Sequence, residues 1–280
     1  MIERVHLFGS HGGLVGIVTE PDAAKARPGA PAILFSNVGL NHRVGPNRVF
    51  VELSRGLADA GFLSLRFDLS GLGDSEPRRD AAGDLERAVG DTREAMDFLA
   101  QRDIRTFVVL GFCSGVDSAH EAALRDDRVA GAIFIDGYAY KNPGFWLRYW
   151  TVRNIQPARW RRYARQRVQA FRGNRVHTET GETLEIYVRE SPSRERFASD
   201  IATLVSRSVR LLFIFTVVAD NHYNYPNQFH DTFGYRDQIA VEYFWRADHT
   251  FSTEGHRASL NTRLVAWVTR HFPGVDGSQS

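Results

Sequence analysis

Near the middle of the chain, Thr106–Gly111 (TFVVLG) runs without a spacer into Phe112-Cys113-Ser114-Gly115 and on into VDSAHEAALRD. The first segment is a short, continuous run of apolar and β-branched residues and reads as a buried strand. The last has the composition of a helix. A strand that turns into a helix within one residue leaves no room for side chains two positions either side of the apex. Gly111 and Gly115 are what that geometry requires. Such an elbow holds its apex residue, Cys113, above the sheet at a helix N-terminus, where free amides and the helix dipole favour thiolate over thiol. The competing reading of a lone cysteine is a small buried hydrophobe. The order strand, Gly-x-Cys-x-Gly, helix weighs toward a nucleophile.

The elements around the elbow follow one pattern. Residues 4–8 and 14–19, parted by a His-Gly-Gly turn, predict an opening hairpin. Further strands are expected at 32–37, 62–67, 106–111, 129–135, 209–217 and 240–245, which makes eight. Helical spacing is found over 46–60, 84–101, after Cys113, and over 253–271. Strand and helix alternate over 30–136 and again after 209, which predicts an α/β chain with a mostly parallel eight-stranded sheet flanked by helices on both faces. Residues 138–207 break the pattern and are expected to form a cap inserted after the sixth strand. The core is then 1–137 and 208–272, and 273–280 is a polar, flexible tail. A hairpin is expected near Thr180–Val188.

Charge marks the same boundary. Of 35 Lys and Arg, ten lie between Gly137 and Thr178, a window with no acidic residue, which leaves 25 against 33 Asp and Glu elsewhere. The window is also rich in aromatic residues. Tyr138, Trp146, Arg148 and Trp150 are its candidate contacts for a substrate or partner. An acyl carrier protein or the phosphates of coenzyme A would pair with such arginines. An anionic membrane surface is the rival partner, since WLRYW and ARWRRYARQRVQAF are amphipathic. A solvated cap helix that binds nothing is the plain reading. Nothing resembles a nucleic-acid module, and nucleic acid is not expected as a partner.

Other classes fall away on composition. A single Cys forms no disulfide within the chain and no thiolate cage, and the ten histidines lack metal spacing, so neither metal nor cofactor is expected. GLGDS has neither phosphate-loop nor dinucleotide spacing. The opening MIERVHLFGSHGG carries Glu3 and does not read as a signal peptide, and no apolar run approaches a membrane span, so a cytoplasmic location is expected.

The elbow, the strand order and DLSGLGDS after the fourth strand together resemble the α/β-hydrolase superfamily. The cysteine at the apex resembles the dienelactone hydrolases and polyhydroxyalkanoate synthases. NVGLNHRVGPNRVFVELSRGLADAGFLSLRFDLSGLGDS, with ADHTFS near the end, resembles the serine-aminopeptidase-like hydrolases found beside exosortase systems. The likeness spans residues 30–136 and 209–272 and leaves the cap uncovered. It implies a catalytic set in the order nucleophile, acid, histidine: Cys113, Asp220 after the seventh strand and His249 after the eighth. Asp136, at the end of the sixth strand, is the alternative acid. The resemblance also implies two backbone donors for an oxyanion. One is the amide of Ser114. The other lies in the Asn37-Val38-Gly39 loop, where the family's usual His-Gly is missing and Val38 is our choice. Asp68, Gly71, Gly73 and Ser75 are expected to shape a tight loop nearby.

The function this implies is a cysteine-nucleophile ester or thioester enzyme, working by hydrolysis or acyl transfer through an acyl-Cys113 intermediate, with His249 as base and Asp220 as orienter. Two alternatives stand beside it. One is a non-catalytic relative that engages an anionic partner through its cap. The other is a peptidase or amidase. The sequence leaves the acyl group, the acceptor and the oligomeric state open.

Overall fold

The structure, a computed structural model, describes residues 1–10, 12–78, 83–151, 191–217 and 222–274. Eight strands form one sheet: β1 (Ile2–Phe8), β2 (Leu14–Glu20), β3 (Ala32–Phe35), β4 (Ser64–Phe67), β5 (Phe107–Phe112), β6 (Val129–Ile135), β7 (Arg210–Thr216) and β8 (Ile239–Phe244). Their spatial order is β1-β2-β4-β3-β5-β6-β7-β8. The first two pairings, β1 with β2 and β2 with β4, are antiparallel, and every later one is parallel. Parallel neighbours need a crossover, and helices supply it. They are α1 (Val49–Asp59), α2 (Asp84–Ala100), α3 (Gly115–Arg125), α4 (Pro143–Thr151), α5 (Arg194–Ser206), α6 (Gln228–Phe233) and α7 (Glu254–His271).

The alternation of side chains along each strand divides the core in two. Phe107 and Val109 of β5, with Leu211, Phe213 and Phe215 of β7, face one cluster with Ala95 and Leu99 of α2 and Ala119 of α3. Val108, Leu110 and Phe112, with Leu212 and Ile214, face the other, against Leu53 and Leu57 of α1 and Leu260 and Leu264 of α7. Strands buried on both faces read as unbroken apolar runs, which is why TFVVLG, VAGAIFI and VRLLFIFTV were legible as strands.

Two expectations about 138–207 change. Helix α5 lies inside the span expected to be an insertion, yet Phe197, Ile201 and Leu204 are fully buried in the first core cluster, so this helix belongs to the layer that covers the sheet. Tyr138, expected as a surface contact, is 4% exposed and its hydroxyl donates to Asp117 at 2.7 Å. The ring is a packing element of the core, stacked edge-on against Phe197. The expected hairpin at 180–188, the arginines from Arg153 to Arg175, Asp220 and the tail from 275 lie outside the described residues.

Candidate active site

Cys113 occupies the step between β5 and α3 with φ of 54°, a left-handed conformation that a non-glycine residue takes only where its surroundings enforce it. The steric demand read from the sequence is present on both sides. A Cβ on Gly111 would lie 2.5 Å from the Gly115 carbonyl oxygen, and one on Gly115 would lie 2.3 Å from that of Asn37. Only glycine lets the elbow close against the loop that follows β3.

That loop is tied to the elbow directly. The Gly39 amide donates to the Ser114 hydroxyl at 2.7 Å. The amides of Val38 and Ser114 have no hydrogen-bond acceptor among the described residues. The loop is held from its other side by Asp68, a fully buried carboxylate at the end of β4 that accepts from the Arg43 amide at 2.6 Å, the Asp74 amide at 3.2 Å and the Arg43 guanidinium. Asn37 joins the two, accepting from the Leu69 amide at 2.7 Å and donating to the Asn41 carbonyl at 2.8 Å. Ser75 donates to the Asp68 carbonyl and accepts from the Val15 amide. Gly73 has no room for a side chain, since a Cβ there would meet the Asp68 carboxylate at 2.4 Å. DLSGLGDS thus shapes the loop that faces Ser114.

His249 sits in the turn after β8. Asp248 holds that turn, its carboxylate accepting from the Ser252 amide at 2.8 Å, and Phe251 packs under it against Phe112 and Phe244. The imidazole stands edge-on to Phe112 and is 30% exposed. Its Nδ1 lies 2.8 Å from Oδ2 of Asp136, and the ring is also hydrogen-bonded to Cys113. Asp136 follows β6 directly, again with a positive φ of 48°. Its carboxylate is 4% exposed. Oδ1 accepts from the Thr216 amide at 2.7 Å and Oδ2 from the Thr216 hydroxyl at 2.5 Å. The bond to Asp136, then the bond to Cys113, holds the His249 pKa up at about 10 against the opposing effect of burial.

The structure therefore brings Cys113, His249, Asp136, Val38 and Ser114 to one edge of the sheet, the edge where β3, β5, β6 and β8 end. The carboxylate partner of His249 is the residue after β6, named above as the alternative. Asp220 falls outside the described residues. Trp146, Arg148 and Trp150 lie exposed on α4, which follows β6. Sequence reasoning missed Thr216 and the Ser114 hydroxyl. A threonine at a strand end carries no signal of its own in one sequence. No group of three or more His, Cys, Asp or Glu side chains among the described residues could hold a metal ion.

Solved structures share this fold across nearly the whole chain. An α/β serine hydrolase without a lid from Xanthomonas campestris is 17% identical with a TM-score of 0.58, covering 98% of this chain and 96% of its own. The chain has the α/β-hydrolase fold. The esterase domain of a Rhodothermus marinus protein is 18% identical with a TM-score of 0.57, covering 98% of this chain and 99% of its own. A proline iminopeptidase from Mycobacterium smegmatis is 17% identical with a TM-score of 0.54, covering 96% and 98%. At this identity the likeness speaks for the fold alone. No family model matches the chain, and no curated protein matches it by sequence.

Proposed function

We propose that the protein is a cysteine-dependent acyl enzyme acting on an ester or thioester, with Cys113 as nucleophile, His249 as the proton carrier and Asp136 as its orienter. The observation that carries this reading is the unbroken chain from Asp136 through His249 to Cys113 at a strained elbow. An imidazole held protonated to about pH 10 between a carboxylate and a thiol is the cationic half of an imidazolium–thiolate pair.

In this scheme the Cys113 thiolate attacks the carbonyl carbon, forming the C–S bond and moving the carbonyl electron pair onto oxygen. The amides of Val38 and Ser114, which have no other acceptor among the described residues, donate to that oxyanion. Collapse of the tetrahedral intermediate expels the alkoxide or thiolate, which takes its proton from the His249 imidazolium. The neutral ring then removes a proton from water, or from an acceptor hydroxyl or thiol, as that nucleophile attacks the acyl-Cys113 carbonyl. Cys113 leaves as thiolate beside the restored imidazolium. A ligand-binding protein would have no use for open amides and a proton-carrying chain aimed at a thiol, which is why the catalytic reading is preferred.

The test is intact mass after incubation with a panel of acyl esters and thioesters, with turnover followed in parallel. An acyl adduct that is absent from Cys113→Ala, together with loss of turnover by roughly 10⁴-fold or more, is the expected result. Undiminished turnover in Cys113→Ala overturns the reading.

A further inference from the structure

Eleven large apolar side chains stand exposed among the described residues, and six of them lie beyond the C-terminal ends of parallel strands. Leu40 follows β3 and is 89% exposed. Trp146, Leu147 and Trp150 follow β6 on α4. Val217 follows β7, and Trp245 follows β8. Three of the other five belong to the edge strand β1, and Met1 directly precedes it. All six therefore belong to segments that leave the sheet at the edge carrying Cys113 and His249.

Helix α4 is built to present such a face. Asn142 caps it, accepting from the Phe145 amide at 2.7 Å, and fastens it to the segment after β7 by donating to Tyr225 at 2.9 Å and Thr232 at 3.0 Å. Phe145 is buried and Tyr149 stacks on it, so these two hold the inner side. Trp146 and Trp150, four residues apart, share the outer side with Leu147 between them. The charges beside them are positive: Arg148 is exposed, and the Lys141 ammonium lies over the Phe145 and Trp146 rings at 5.5 and 5.2 Å.

We propose that these apolar side chains, those of α4 foremost, dock on the surface of an anionic lipid bilayer. Tryptophan rings with an apolar body and a polar N–H settle at the headgroup level, where leucine reaches the acyl region and lysine and arginine meet lipid phosphates. The charge of the sequence agrees: no acidic residue falls between Gly137 and Thr178, against ten basic ones. A soluble acidic carrier would satisfy the cations and leave the two tryptophans and Leu147 with nothing to cover them. The contact is with a surface, since no helix among the described residues is long and apolar enough to cross a membrane. Docking is read by binding alone and stands apart from the acyl chemistry.

The experiment is co-sedimentation of the full chain with phosphatidylcholine vesicles with and without phosphatidylglycerol. Binding to the anionic vesicles, released by salt and weak on phosphatidylcholine alone, is expected. The Trp146→Ser, Trp150→Ser double variant should bind at least about tenfold more weakly. Lys141→Gln with Arg148→Gln should lose a similar factor, each cation near an anionic surface contributing about fivefold. Trp150→Ser alone, at a side chain 63% exposed, serves if the double variant folds poorly by circular dichroism. Val5→Ser with Leu7→Ser on β1 should bind as the parent does. The proposal is overturned if anionic vesicles leave the protein in the supernatant, if the tryptophan variants bind unchanged, or if an acidic carrier protein is bound where vesicles are not.

Discussion

Asp136→Asn is the substitution in which the surrounding hydrogen bonds dictate the outcome. The Thr216 amide can only donate, and it donates to Oδ1 at 2.7 Å. The new carboxamide must therefore turn its oxygen to that amide and its NH2 toward the Thr216 hydroxyl and His249 Nδ1. The hydroxyl can rotate and accept. The imidazole can accept only by leaving Nδ1 bare, which puts its proton on Nε2, facing Cys113. A ring in that tautomer cannot take the thiol's proton. The charge is lost as well, because Asp136 is the largest cause of the rise from 6.5 to about 10. That rise corresponds to roughly 5 kcal/mol favouring the charged ring, shared between Asp136 and Cys113. An unassisted thiol titrates near ~8.5, so only about 3% is thiolate at pH 7. Part of that roughly 30-fold deficit is offset by the greater nucleophilicity of a thiolate of higher pKa, which leaves about a tenfold slower alkylation. Turnover, where the ring must also deliver and remove protons, should fall by about 10³–10⁴. The assay is the iodoacetamide rate from pH 6 to 9, with modification followed by mass. The variant should show a single rise toward ~8.5, where the parent reacts readily below pH 7. Superimposable profiles would refute the assignment of Asp136.

The remaining expectations concern the elbow and the ring. Ser114→Ala removes the hydroxyl that receives the Gly39 amide, frees the loop that carries Val38, and should lower kcat about tenfold with KM little changed; Ser114→Thr should restore it. Unchanged kcat in the alanine variant would show that the clamp does not position the loop. Gly115→Ala forces a methyl to within 2.3 Å of the Asn37 carbonyl oxygen, a backbone contact that cannot swing aside, and urea denaturation should show a loss of about 3 kcal/mol. His249 gives stability a pH dependence of definite sign. Its raised pKa favours the folded state fully below pH 6.5, and that contribution is lost as pH rises through about 10. Urea midpoints of the parent should fall between pH 9 and 10 more than those of His249→Asn; equal slopes would contradict the ion pair.

What the sequence made legible was whatever sterics and burial impose locally. Gly111 and Gly115 are dictated by the turn between them, so the elbow was visible without any partner. The eight strands were visible because most are buried on both faces. The acid was not decidable in the same way, since Asp136 and Asp220 both follow strand ends and one sequence does not show which carboxylate faces the ring. The Asp136 contact depends on β6 and β8 being one strand apart, with Thr216 of the strand between them oriented to hold the carboxylate. Tyr138 misled for a related reason. It opens the basic aromatic window in sequence, but it is only three residues beyond β6, and the chain is still inside the core there. Helix α5 was hidden by its polar residues, Arg194, Glu195, Arg196 and Asp200, which mask an inner face of Phe197, Ile201 and Leu204.

The two residues on which the proposed chemistry most depends are also strained, and their hydrogen bonds show how the strain is sustained. Cys113 and Asp136 both leave their strands at positive φ, a conformation that costs a non-glycine residue of order 1–3 kcal/mol. Each nonetheless makes the last rung of the ladder to the next strand: the Cys113 amide donates to the Ile135 carbonyl and the Asp136 amide to the Ile214 carbonyl, both at 2.8 Å. The backbone is thus held in the sheet's register up to the residue that turns, and only there does the side chain swing along the edge. Because β5, β6 and β7 are adjacent, the same step repeated twice sets the thiol, the carboxylate and Thr216 in sequence along one edge. Relaxing either turn would free that strain of about 1–3 kcal/mol and break a rung whose acceptor residue is fully buried, at a cost of about 1–3 kcal/mol for each of the two groups left unpaired. The strained arrangement persists because the unstrained one would forfeit buried hydrogen bonds, and the geometry of the site is in that sense a property of the sheet.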